Sequence, residues 1–175
     1  MIIFENDKPT GVATDFVTIA IGLLKKNTGE SNAYHFKDFP TTAILNPTKE
    51  LTAKNTVYVV AHGNPTKIVN CSSGNELGAK LSGIAGITSK NTDKIVLVSC
   101  STGQLANTNP TNFAQQLADF MKIRVYGAND LIIVHYNIVG DDKTLMDYAV
   151  GTGFSIKGAA VTVTNGAGLT QFNPR

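Results

Sequence analysis

The stretch IVLVSCSTG, residues 95–103, decides how the chain is read. Ile95, Val96, Leu97 and Val98 run directly into Ser99, Cys100, Ser101, Thr102 and Gly103. A short run that is apolar at every position suits a strand covered on both faces, as in a parallel sheet flanked by helices. Cys100 stands at the end of that strand, and its residue type leaves two readings open. Free cysteine is among the most buried residue types and commonly acts as a small hydrophobe. A thiol at an exposed strand end can instead serve as a nucleophile.

The same pattern recurs on both sides. MIIF (1–4), AYHF (33–36), VYVVA (57–61), KIVLVS (94–99), IRVYGA (123–128) and LIIVHYNIV (131–139) read as strands. Helical spacing predicts helices between them. In 14–26 it is carried by Phe16, Ile19, Leu23 and Leu24, and in 74–84 by Leu77, Leu81 and Ile84. In 109–122 Phe113, Leu117, Phe120 and Met121 form the stripe, with Asn109 expected as cap and Pro110 at the first helical position. Residues 38–55 read as a surface connection, and the glycine-punctuated last 35 residues as hairpins. The expectation is a single α/β domain over residues 1–175. It has a mostly parallel sheet of about six strands, helices on both faces and a β-rich C-terminal portion.

Composition narrows the function. Charged residues make up only 16% of the chain and the net charge is +2, with Lys25-Lys26 the one adjacent basic pair. No phosphate-tracking stripe is visible, so a nucleic-acid partner is not expected. The histidines, His35, His62 and His135, are far apart, and no CxxC or HxxxH spacing occurs, so no metal site is expected. Two cysteines, Cys71 and Cys100, are too few for a disulfide framework. The first residues lack a basic start followed by an apolar run, and no stretch approaches a membrane span. The expectation is a soluble, cytoplasmic protein with no membrane partner, leaving the cell only by another route or within a larger chain.

In open α/β sheets ligands bind beyond the carboxyl ends of the strands. VYVVA delivers His62-Gly63 to that edge, and KIVLVS delivers Cys100. One helix-bearing connection, residues 64–93, separates them, which is a crossover length that sets two strands side by side, about 5 Å apart. An unperturbed thiol is only about 3% thiolate at neutral pH. A neighbouring imidazole can take its proton and later protonate a leaving amine. Gly63 can turn its backbone N–H toward a substrate carbonyl and, with the Cys100 N–H, form an oxyanion hole. Each residue also has a plainer role: His62 as a turn cap, Gly63 as a turn former. Cys71 reads as a bystander, and His35 and His135 as structural histidines within strand patterns.

VYVVAHG, a helix, KIVLVSC, another helix and RVYGA, taken in that order, resemble the clan CD cysteine peptidases. These include caspases, gingipains, clostripain-like enzymes and the autoprocessing protease domains of RTX toxins. AHG, LVSCSTG, FAQQLA and VYGAND are most similar to the toxin type and to caspase-like modules of bacterial effectors, and the resemblance covers about residues 55–130. It implies a three-layer caspase-like fold, with His62 as general acid/base and Cys100 as nucleophile. It also implies Gly63 and Cys100 N–H groups as oxyanion donors, and a protein or peptide substrate cleaved through an acyl-enzyme. Some members carry an acidic residue two positions before the cysteine to receive a basic side chain. Val98 stands there in this chain, which argues against that specificity. Glu5 or Asp7, after the first strand, would line the pocket if that strand neighbours the His62 strand; both also suit solvated turn positions. RTX toxin domains are activated by inositol hexakisphosphate in a basic cleft. The sparse basic residues give no clear cleft here, so no cofactor is required by the sequence.

Three functions therefore compete. The first is a cysteine endopeptidase, self-processing or a bacterial effector. The second is a catalytically inactive caspase-like module that binds a protein. The third is an α/β serine hydrolase using Ser99 or Ser101, weakened because Ser99 occupies the first glycine of G-x-S-x-G. Oligomeric state stays open, because LIIVHYNIV suits either an edge-strand dimer or pairing with the C-terminal hairpin.

Overall fold

The computed structural model describes residues 1–5, 16–28, 33–36, 55–68, 70–85, 87–105, 111–129, 132–139, 142–150, 154–157, 160–163 and 169–175. In chain order the elements begin with β1 (Ile2–Phe4), α1 (Phe16–Thr28), β2 (Ala33–His35) and β3 (Asn55–Val60). A two-residue hairpin follows, β4 (Gly63–Asn64) and β5 (Lys67–Ile68), then α2 (Gly74–Ala85) and β6 (Thr92–Val98). The second half holds α3 (Phe113–Met121), β7 (Arg124–Ala128), β8 (Ile132–Val139) and β9 (Asp142–Val150). Last come β10 (Phe154–Lys157), β11 (Ala160–Val163) and β12 (Leu169–Phe172).

The central sheet has six strands in the order β12-β7-β6-β3-β1-β2. Every neighbouring pair is parallel except β12 with β7. The two aliphatic runs VYVVA and KIVLVS are the central neighbours, as their crossover length predicts. Their alternation sorts the core into two faces. Met1, Ile3, Val57, Val59, Ala61, Ile95, Leu97 and Val125 pack with α2 and α3. Ile2, Tyr58, Val60, Val96, Val98 and Ala128 pack with Val17, Ala20 and Leu24 of α1. The result is α/β, with three helices among the described residues distributed over both faces of a mostly parallel sheet.

Two expectations are corrected. The sixth central strand is β12, within the expected hairpin region, while β8 pairs antiparallel with β9 outside the central sheet. Apolar character alone could not choose between these two strands, because both suit a sheet edge. The third helix starts at Phe113, capped by the Asn112 side chain accepting the Gln115 N–H at 2.8 Å. Asn109 and Pro110 lie outside the described residues, as do Asp7, most of the 38–55 connection and the side chains of Leu23, Ile84 and His135. No helix among the described residues is long and apolar enough to cross a membrane.

Candidate functional site

The site is set by register. Val60 of β3 pairs with Val98 of β6, and the Ala61 N–H donates to the Val98 carbonyl at 3.3 Å. Two residues further along each strand stand His62 and Cys100, so the two leave the sheet at one level from neighbouring strands. Alternation also gives them one face. Cys100 is half-buried against the α1-side core, and the His62 ring lies 5.7 Å from the ring of Phe16, which packs on the same core. His62 itself is exposed.

The turn after β6 is held tightly on the side away from β3. Ser101 is left-handed with φ 55°, a strained conformation for a non-glycine residue, and it turns the chain just after the cysteine, three residues past the end of β6. The Gly103 N–H donates to the Ala128 carbonyl at 2.7 Å, and the Ala114 N–H to the Thr102 carbonyl at 3.0 Å. Buried Thr102 donates its hydroxyl to the Ser99 carbonyl at 3.4 Å and accepts the Ala128 N–H at 3.3 Å. Asn112, besides capping α3, donates to the Gly103 carbonyl at 2.9 Å. The turn is thereby tied to the end of β7 and the start of α3, and none of these bonds uses the Cys100 N–H. The Cys100 sulfur accepts the Ile132 N–H at 3.3 Å.

Gly63 has a packing reason to be glycine. A Cβ built on it would lie 2.2 Å from the Ser99 Oγ and 3.1 Å from the Lys67 carbonyl. In the β4–β5 hairpin Gly63 sits opposite Ile68. Both backbone groups of Ile68 are bonded to Cys71, at 3.1 and 2.8 Å, so neither faces Gly63. This is the non-hydrogen-bonded position of an antiparallel ladder, which points the Gly63 N–H away from its hairpin partner.

The other sequence-derived candidates separate from this pair. β1 does neighbour β3, so Glu5 reaches the same edge, its N–H donating to the Val60 carbonyl at 3.1 Å. Its side chain, however, is buried and accepts a hydrogen bond from the Asn70 amide beside Cys71. Cys71 belongs to the α2-side core, so Glu5 lies on the face opposite Cys100. Val98 is 1% exposed beneath Cys100 and offers no open pocket wall. Burial pushes the Cys71 thiol up from its ordinary value, with Lys80 only partly offsetting it. His35, at the end of β2, packs edge-on to Phe4 at 5.1 Å.

Ser99 is fully buried, and its Oγ has no hydrogen-bond partner among the described residues. In the sequence it reads as the residue before the cysteine and as one of two serines open to a hydrolase, and nothing there signals its contact with Gly63. Among the described residues Lys80 pairs with Glu76, Arg124 with Asp93 and Arg175 with Asp119, on separate parts of the fold. Among the described residues no cluster of three His, Cys, Asp or Glu forms that could hold a metal.

Residues 36–146, more than half of the chain, match the model of the family described as Domain of unknown function (DUF8616). The chain belongs to that family. The DUF8616 span contains β3 and β6 and therefore both His62 and Cys100, as well as Ile132. No curated protein matches this DUF8616 member.

Proposed function

We propose that the protein is a cysteine endopeptidase with a caspase-like architecture, using Cys100 as nucleophile and His62 as general acid/base. The observation that supports this reading is the paired register of Val60 and Val98, which brings a thiol and an imidazole to one level and one face of the sheet. The exposed imidazole and the half-buried thiol suit a dyad that closes on substrate. The Cys100 thiolate adds to the peptide carbonyl carbon, and the oxyanion is met by the N–H groups of Gly63 and Cys100. The C–N bond then breaks, His62 gives its proton to the leaving amine, and a thioester remains. His62 next takes a proton from the water that adds to the thioester, the C–S bond breaks to release the acid, and the sulfur leaves as thiolate beside the protonated His62.

Of the two nucleophiles of the serine-hydrolase alternative, Ser99 loses support because its hydroxyl is fully buried, whereas Ser101 is half-buried in the turn after Cys100. Digestion of a peptide library by wild type and by Cys100→Ala tests the proposal. Cleavage by wild type that disappears in Cys100→Ala, and falls about 10²–10⁴-fold in His62→Ala, is expected. Cleavage unchanged in Cys100→Ala overturns it. No cleavage by folded wild type also overturns it, and leaves the protein-binding module as the reading of the fold.

A further inference from the structure

We infer that the backbone N–H of Ile132 is a third catalytic group, a fixed donor to the Cys100 sulfur. The sulfur and this nitrogen are 3.3 Å apart. The donor is the first residue of β8, and its side chain is 7% exposed within the same α1-side core that packs against Cys100. The N–H is therefore held by a buried anchor at a strand start. The α1-side core that packs against Cys100 carries two phenols, Tyr58 and Tyr126, of which Tyr126 donates to Gln171 at 2.7 Å, and His62 stands at the adjoining strand end.

A hydrogen bond whose acceptor is charged is roughly twice as strong as a neutral one. The Ile132 N–H thus favours the thiolate over the thiol and, unlike His62, does so without carrying a proton that the reaction consumes. It acts twice in the proposed cycle, and in that sense rests on the peptidase reading. It stabilises the attacking sulfur. It then accepts the same sulfur as leaving group when water has added to the thioester, the C–S bond breaks and the electron pair returns to sulfur. In the neutral thioester between these events the bond is weaker, so the donor discriminates charged from uncharged states rather than binding all equally.

Alkylation of Cys100 by iodoacetamide tests the donor without any peptide. Sulfur displaces iodide in one step, and the rate follows the thiolate population. Ile132→Pro removes the N–H at the first residue of a strand, where proline is tolerated, and Ile132→Val keeps it. Loss of the donor is expected to slow alkylation at neutral pH in Ile132→Pro relative to wild type. Ile132→Val stays at the wild-type rate. Amide NMR of wild type against Cys100→Ala gives a second reading that needs no proline variant. The Ile132 amide proton is expected to move upfield on loss of the sulfur, by more than its neighbours do. An unmoved Ile132 resonance, or a folded Ile132→Pro that alkylates at the wild-type rate, overturns the donor. Neither result bears on whether peptides are cleaved, and absence of peptide cleavage does not alter either readout.

Discussion

Substituting Gly63 by alanine tests the packing that joins the two strand ends. The new methyl would sit 2.2 Å from the Ser99 Oγ and 3.1 Å from the Lys67 carbonyl, inside the distance at which atoms repel. Ser99 is 0% exposed, so its hydroxyl cannot turn out to solvent to make room. Overpacking of this kind costs about 1–3 kcal/mol, and the backbone oxygen at the second contact places Gly63→Ala toward the upper half of that range. Ser99→Ala removes the offending atom. Because that hydroxyl is buried with no partner among the described residues, its loss alone is expected to be neutral or to stabilise by up to about 1 kcal/mol. The double variant should therefore recover most of the stability, with a coupling of about 2 kcal/mol in a double-mutant cycle. Urea unfolding of the four proteins measures it. Alanine keeps its N–H, so a double variant that refolds is also expected to regain Cys100-dependent cleavage. Gly63→Ala as stable as wild type, or no rescue by Ser99→Ala, refutes the argument that glycine is required there by Ser99.

Asn112→Ala removes the cap of α3 and the buried bond to the Gly103 carbonyl, and should cost about 2 kcal/mol in urea unfolding; a loss under about 0.5 kcal/mol would show that the turn does not lean on this residue. Cys71, whose thiol is pushed up by burial, should stay unlabelled by iodoacetamide at neutral pH while Cys100 reacts, and mass spectrometry showing equal labelling would contradict this. The Ser72 N–H and hydroxyl, at 2.8 and 3.0 Å, hold the Glu76 carboxyl below its ordinary value at the start of α2. A depressed carboxyl contributes stability above its unfolded value and loses it as pH falls through the folded one. The thermal midpoint of wild type should accordingly fall toward that of Glu76→Gln on acidification below the ordinary carboxylate range, and parallel curves would exclude the contribution.

Much of the central fold was legible because its signals are local. Aliphatic runs such as Val57–Val60 and Ile95–Val98, separated by one helix-bearing crossover, specify neighbouring parallel strands from their own composition and spacing. The same runs place His62 and Cys100 at strand ends. Asn112 does not stand out as a cap in the sequence because Asn109-Pro110 carries a stronger local start signal. The pairing of β12 with β7, forty-one residues away at its closest (128 to 169), rests on which edge is free once the sheet has formed, and no local pattern encodes that.

The sequence by itself thus determined the sheet's central strands and the standing of His62 and Cys100 at its carboxyl edge. Only the tertiary structure decided the faces and the partners. A one-residue step along a strand reverses a side chain's face, so Glu5 reaches the right edge yet turns to the α2 side, while His62 and Cys100 share the α1 side. The contact of Ser99 with Gly63 and the bond from Ile132 to Cys100 join residues 36 and 32 positions apart, and such contacts exist only after packing has closed the chain upon itself.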